Sequence, residues 1–248
     1  MSESTEYKAP LSYEQLAQQT FGEIWHSPNT WPASSFSSSS LWGTAVSNRM
    51  FEVELDLAKH LLEEIHSSGV PGAVVEFGVF EGRWLGHLIK HADSIGMHRE
   101  YFGFDSFEGL PEPGPADEGL GWTKGLYSAG LDLVASRLDC ANRPNVHLIK
   151  GWFCDSLPTK EAQAIGNIAY ARVDGDLYES AVDCLQFLTG RLSDGAILVF
   201  DDWTFHTEKG ETRAFFEWAP ESGYIFEPIG FIGIGSFYFR IRLKPETD

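Results

Sequence analysis

The stretch Ile168-Ala169-Tyr170-Ala171-Arg172-Val173-Asp174-Gly175-Asp176, followed by Ala196-Ile197-Leu198-Val199-Phe200-Asp201-Asp202, decides the fold of this chain. In each segment an apolar run of strand length ends on carboxylates. Between them, Tyr178 to about Leu192 places Ala181, Val182, Leu185 and Leu188 on one helical face. Strand, helix and strand with short connections form a βαβ unit whose crossover is right-handed. Its strands are expected to be parallel, adjacent and about 4.8 Å apart. Asp174, Asp201 and Asp202 would then meet at the carboxyl edge of the sheet, where open α/β folds bind ligands. Such carboxylates repel one another unless a cation or shared protons neutralise them. An all-oxygen donor set suits Mg²⁺, Ca²⁺ or Mn²⁺ rather than zinc. The plainer alternative is that these aspartates cap the helices after the strands, and for Asp176 both readings stand.

A length of 248 residues fits one large α/β domain, residues 49–248, behind an N-terminal extension, residues 1–48. A hydrophobic content of 43% supplies a sizeable core. The net charge of −18 argues against a broad surface for nucleic acid or an anionic membrane. Cys140, Cys154 and Cys184 carry no metal-finger spacing and read as reduced thiols of a cytoplasmic protein. No apolar run approaches the length of a membrane span, and the polar, acidic N-terminus is unlike a signal peptide. The extension combines the tract Ser34-Ser35-Phe36-Ser37-Ser38-Ser39-Ser40 with Trp25, Trp31 and Trp42. Serine alone suggests a linker, but aromatics at this density suggest a lid over the site or an arm in a homo-oligomer.

Helical spacing runs from Asn48 to Ser68 and ends at Gly69 and Pro71. Ala73–Phe77 is the first strand, a helix follows over Glu81–Ile95, and Tyr101–Asp105 is the second strand. Glu108–Lys124 is a long Gly-, Pro- and acid-rich loop at the same sheet edge, a length that usually carries function. A helix over Leu131–Cys140 and a strand over Val146–Ile149 come next. After the βαβ unit, Phe215–Trp218 reads as helix, and Tyr224–Pro228 and Ser236–Leu243 as strands.

The turn Glu76-Phe77-Gly78-Val79-Phe80-Glu81-Gly82 lacks the middle glycine of a nicotinamide-binding turn, and its acids would repel a pyrophosphate. S-adenosylmethionine has no phosphate and carries a sulfonium and an ammonium, so acidic neighbours favour it. Asp105, ending the second strand, suits the two ribose hydroxyls. Gly151-Trp152-Phe153-Cys154-Asp155 offers a turn, two aromatic faces and an acid suited to adenine, although either ring alone could be ordinary core.

Val74-Val75-Glu76-Phe77-Gly78-Val79, Gly103-Phe104-Asp105-Ser106-Phe107-Glu108-Gly109-Leu110-Pro111, Lys150-Gly151-Trp152-Phe153, Arg172-Val173-Asp174-Gly175-Asp176-Leu177-Tyr178-Glu179-Ser180 and Asp201-Asp202-Trp203 together resemble the macrocin O-methyltransferase family over about residues 70–205. The resemblance implies a Rossmann-like class I methyltransferase fold. Such a fold has a mostly parallel seven-stranded sheet with one antiparallel strand and helices on both faces. It implies a metal-dependent transfer of methyl from S-adenosylmethionine to a sugar hydroxyl of a natural product. Carried over, it makes Asp174, Asp201 and Asp202 the metal ligands, and Glu76, Gly78, Asp105, Ser106, Trp152, Phe153 and Asp155 the cofactor contacts. Where the family often has a Gly-Ser pair after the first turn, this chain has Arg83-Trp84.

An alcohol is a poor nucleophile until a metal such as Mg²⁺ lowers its pKa and a base takes its proton. Asp176 and His206 are the candidate bases, a loop histidine being more often simply solvated. The expected partner is a small-molecule hydroxyl acceptor. A catechol- or phenol-type O-methyltransferase and a non-catalytic cofactor-binding regulator are the alternatives.

Overall fold

A computed structural model describes residues 41–204, 206–232 and 235–244, with side chains from residue 49. Of the extension over residues 1–48 that carries the lid and oligomer-arm expectations, residues 1–40 lie outside the described residues, while residues 41–48 form the first turns of a helix. The sheet and the helices that cover it belong to the unit Ser47–Asp248.

Helix α1 (Leu41–Ser67) is followed by β1 (Ala73–Phe77), α2 (Arg83–Ser94), β2 (Tyr101–Asp105), α3 (Leu131–Arg137) and β3 (Val146–Lys150). Two short helices, α4 (Phe153–Ser156) and α5 (Lys160–Gln163), precede β4 (Ile168–Val173), α6 (Tyr178–Leu188), β5 (Leu192–Phe200), α7 (Gly210–Trp218), β6 (Tyr224–Ile232) and β7 (Ser236–Leu243). The seven strands lie in the order β3-β2-β1-β4-β5-β7-β6. The first five are mutually parallel, while β7 runs antiparallel to both β5 and β6. The strand order reverses between β1 and β4, so a crevice opens at their carboxyl ends, where such folds hold ligands.

Every residue of β1 and β4 is buried, Arg172 included. Strands covered on both faces read as unbroken apolar runs, which is why no alternation marks them. On one face, Leu62 and Ile65 of α1 and Leu85 and Leu88 of α2 join Val74, Tyr170, Val199 and Tyr238 in one core. On the other, Phe187 of α6 meets Phe77 at 5.9 Å between ring centroids, and Phe215 of α7 stacks on Phe239 at 4.8 Å. Each fully buried aliphatic side chain contributes about 1.5–3 kcal/mol, so truncating Leu85 to alanine would cost about 2–5 kcal/mol.

Element ends follow local chemistry. At the end of α1, Gly69 takes φ 66° and the Val70 amide donates to the Ile65 carbonyl at 3.1 Å, a Schellman-type stop. Helix α6 stops at Leu188, short of the expected Leu192, because Leu192 already pairs with Ile168 as the start of β5. Helix α7 extends the expected Phe215–Trp218 segment back to Gly210, and α4 occupies the expected Trp152–Asp155 turn.

Candidate active site

The carboxyl ends of β1, β4 and β5 continue their ladders one step beyond the strands. The Gly78 amide donates to the Phe104 carbonyl at 2.8 Å, that of Asp174 to Phe77 at 2.9 Å, and that of Asp201 to Val173 at 3.0 Å. Gly78 sits at φ 90°, and a Cβ there would come 1.7 Å from the Asp174 carbonyl oxygen, so only glycine lets the two turns touch. Above this floor lies a cavity of about 800 Å³, within the range of small-molecule sites.

One wall is the Asp105 turn. Its Oδ2 accepts from the Phe80 amide at 2.8 Å and its Oδ1 from Phe107 at 2.6 Å. Burial raises the Asp105 pKa while these amides oppose the rise. Each oxygen keeps a second lone pair, so the carboxylate can still accept from a pair of hydroxyls. Ser106 Oγ donates to the Gly109 carbonyl at 2.8 Å, which shapes the start of the long loop. Gly78, Asp105, Ser106, Trp152 and Phe153 line the cavity, whereas Asp155 is exposed outside it. Glu76 is not part of the lining either. It is buried, with Oε2 lacking any hydrogen-bond partner. Burial pushes its pKa up to about 8, against the pull of Arg172. An orphaned carboxyl oxygen beside the glycine turn, together with the spare acceptors of Asp105, fits a ligand carrying an ammonium and ribose hydroxyls.

The opposite wall is acidic. Asp174, Asp176 and Asp202 each offer a carboxylate oxygen, all within 4.8 Å of one another. Burial raises all three pKa values, that of Asp176 to about 7, where the charge of Glu211 adds to the rise. Asp201 also lines the cavity, but its Oδ1 accepts both from Arg172 and, at 2.8 Å, from Ser236 Oγ, which leaves Oδ2 without a hydrogen bond among the described residues. The trio of hard oxygens fits a divalent cation such as Mg²⁺. Capping is not what Asp176 does here. Helix α6 begins behind Leu177 without a side-chain cap, and its Tyr178 amide is taken by Asp117 Oδ1 at 2.8 Å, from the long loop. His206 is exposed, 3.5 Å from Glu208, and does not line the cavity.

Several contributors carry no local signature in the sequence. Arg172 is the partial exception, a cation embedded in an apolar strand, and that oddity was its signal. Its Nε lies 3.2 Å from Asp174 and its Nη1 3.1 Å from Glu54, and the guanidinium sits 4.1 Å over the Trp84 ring. Glu211, in the first turn of α7, is fully buried and accepts from the Gly175 and Asp202 amides; burial and the Asp202 charge raise its pKa well above normal. The long loop closes on itself where the Leu110 amide donates to Leu126 at 2.8 Å and Gly125 returns to Leu110 at 2.9 Å. It is tied down by Asp117 and by Lys209, whose ammonium donates to the Glu118 carbonyl. Leu110, Glu112, Lys124 and Tyr127 from or beside this loop face the cavity.

Comparison with known proteins adds a second line of observation. The family model "Macrocin-O-methyltransferase (TylF)" matches residues 48–241. The 8-demethyl-8-(2,3-dimethoxy-alpha-L-rhamnosyl)-tetracenomycin-C 4'-O-methyltransferase of Streptomyces olivaceus is 34% identical over 161 residues, 60% of this chain and 59% of that protein. Demethyldecarbamoylnovobiocin O-methyltransferase of Streptomyces niveus is 30% identical over 161 residues, again 60% of this chain and 59% of that protein. The match thus spans less than two thirds of the length of either relative. Among solved structures, the O-methyltransferase NovP aligns with a TM-score of 0.65 at 26% identity, over 77% of this chain and 80% of that one. The calicheamicin methyltransferase CalS11 aligns at 0.63 over 96% and 99%; at 21% identity this likeness speaks for the fold alone.

Proposed function

The chain belongs to the macrocin-O-methyltransferase family, and from that premise we propose that it moves a methyl group from S-adenosylmethionine to a hydroxyl, of a sugar or diol, on a small-molecule natural product. One observation carries this reading. The carboxylate trio of Asp174, Asp176 and Asp202, with oxygens within 4.8 Å of one another, lines the same cavity as the Asp105 turn.

In this reading Asp105 accepts from the ribose hydroxyls through its spare lone pairs, Gly78 gives close backbone approach, and Trp152 and Phe153 flank the adenine. Asp174 and Asp202 hold Mg²⁺, with Asp201 Oδ2 and Asp176 the further oxygens at hand. The ion, when bound, supplies acidification and orientation of the acceptor hydroxyl. Asp176, at the cavity wall beside the other two carboxylates, takes the hydroxyl proton as general base. The acceptor oxygen then forms a bond to the methyl carbon as the carbon–sulfur bond breaks. The electron pair goes to sulfur and leaves S-adenosylhomocysteine. Alignment of oxygen, carbon and sulfur is mainly a matter of positioning, which the rigid strand ends supply.

The edge contact of Phe80 with Tyr127, 5.6 Å between centroids at the cavity wall, favours an acceptor with a ring face and keeps a catechol or phenol within reach. A panel of glycosylated and catechol acceptors with labelled cofactor, assayed with and without Mg²⁺, tests the reading. Label on glycosides that depends on Mg²⁺ supports it. Label on catechols alone moves the acceptor class, and cofactor binding with no turnover on any acceptor would point to a regulator.

A further inference from the structure

The two loops that bring the carboxylates together come from different strands, and nothing in the ladder of β4 with β5 extends as far as Asp176 or Asp202. Their spacing must be set by something else. Glu211 meets both: Oε1 accepts from the Gly175 amide at 3.0 Å, and Oε2 from the Asp202 amide at 3.2 Å. The first amide lies between Asp174 and Asp176, and the second belongs to Asp202 itself. The side chain is fully buried, and no cation pairs with it among the described residues. A lone buried carboxyl is costly, and here its bonds go only to the two backbone segments that carry the acidic wall. Helix α7 holds it there. Gly210 starts the helix at φ 53° against Leu120, and Thr212 exchanges hydrogen bonds with the backbone of Thr204 at 2.8 and 3.1 Å.

We propose that Glu211 is a positioning residue that bolts the loop after β4 to the loop after β5, and so fixes how Asp174, Asp176 and Asp202 face one another. The inference rests on the methyl-transfer reading above for its consequence in turnover, but not for the clamp itself. Only a group with an acceptor on each of two oxygens can serve both amides. In Glu211→Gln the amide NH₂ faces one of the two N–H donors, and one anchor is lost with little change of volume. Glu211→Asp keeps both oxygens on a shorter arm.

Three readouts test it on the whole chain. In wild type the Gly175 and Asp202 amides should be slow to exchange with deuterium, and in Glu211→Gln at least one should become fast. Turnover of the variant should fall roughly 10-fold or more, while the affinity for S-adenosylmethionine stays within about twofold, because misplacement of reacting groups is felt in the chemical step. Mn²⁺, used alone as the probe, should bind more weakly to the variant. Leu88→Ala is the stability control. It opens the core between α2 and the sheet, on the face away from α7, and should lower the melting temperature while turnover per folded molecule is kept. Faster amide exchange with lost turnover upholds the clamp even if wild type binds no Mn²⁺, an outcome that would sink the metal reading alone. Unchanged protection in Glu211→Gln and Glu211→Asp overturns it. So does turnover that falls only in step with stability across all three variants.

Discussion

Arg172 Nη1 lies 3.1 Å from Glu54 Oε1, so the guanidinium beneath the acidic wall is held by a residue of α1. The same Glu54 oxygen accepts from the Tyr238 hydroxyl at 3.0 Å. Arg172 therefore acts as a built-in counterion that faces Asp174 and Asp201 on one side and α1 on the other. Its own pKa is raised well above normal: burial opposes the charge, and Asp201, Asp174 and Glu54 together outweigh it.

Replacing Arg172 by methionine should be severe. The change leaves Glu54, Glu76, Asp174 and Asp201 without their cation, and breaking a buried pair from one side costs about 3–5 kcal/mol. Urea unfolding of wild type and Arg172→Met measures this, and added Mg²⁺ should recover part of the loss if a second cation can reach the wall. A variant as stable as wild type would show that the carboxyls are simply protonated and do not need the arginine.

Asp105 should govern both cofactor affinity and the shape of its turn. Asp105→Asn keeps the volume but sets an NH₂ against the Phe80 or the Phe107 amide, and it weakens the acceptor for a ribose diol. Affinity for S-adenosylmethionine by calorimetry should drop about 10-fold or more, given roughly 1–3 kcal/mol for each spoiled buried hydrogen bond. Equal affinity in wild type and variant would remove Asp105 from the cofactor site.

Stability of the metal-free protein should fall as pH rises. Glu76 and Asp176 have folded pKa values raised to about 8 and about 7 from ordinary carboxyl values of 4.5 and 3.8, and Asp105, Asp174, Asp202 and Glu211 shift the same way. The folded state thus keeps protons that the unfolded chain releases above about pH 4. Stability from this source is full below the unfolded pKa and is lost as pH climbs through 7 and 8. Each differentially held proton contributes a slope of about −1.4 kcal/mol per pH unit. Unfolding in chelator between pH 5 and 8 should show that decline, and Glu76→Gln should flatten it. A stability that rises over the same interval would mean that these acids are ionised in the fold.

The order and type of the central elements were legible because buried parallel strands leave unmistakable apolar runs, and β1 and β2 matched their expected bounds to the residue. The acid cluster was legible too, since Asp174 and Asp202 close such runs. What could not be read was which oxygen points where. Asp201 and Asp202 are adjacent, and the bonds of Asp201 Oδ1 to Arg172 and Ser236 are what set it apart from Asp202. Glu54, Asp117 and Glu211 were invisible for a related reason. Each makes a bond across a long stretch of chain, Glu211 to Gly175 over 36 residues besides its bond to nearby Asp202, and Asp117 to Tyr178 over 61, and no local pattern encodes such a bond. His206 shows the converse, a residue with suitable chemistry that the fold leaves in solvent.

Metal dependence is the sharpest remaining test. Asp174→Asn and Asp202→Asn each remove one oxygen charge from the trio without changing its volume, so Mn²⁺ affinity, followed by its paramagnetic signal, should weaken about 10-fold or more. Binding of S-adenosylmethionine should survive, because the Asp105 turn stands on the other wall. Asp202→Asn relieves repulsion among the acids and should leave the metal-free protein as stable or more so, whereas Asp174→Asn and Asp201→Asn also weaken bonds to Arg172 and should lower stability as well as turnover. Chelation should abolish methyl transfer and Mg²⁺ should restore it. Full turnover in excess chelator would leave Asp174, Asp176 and Asp202 as bases and positioning groups, and Asp176 alone would then have to activate the acceptor hydroxyl.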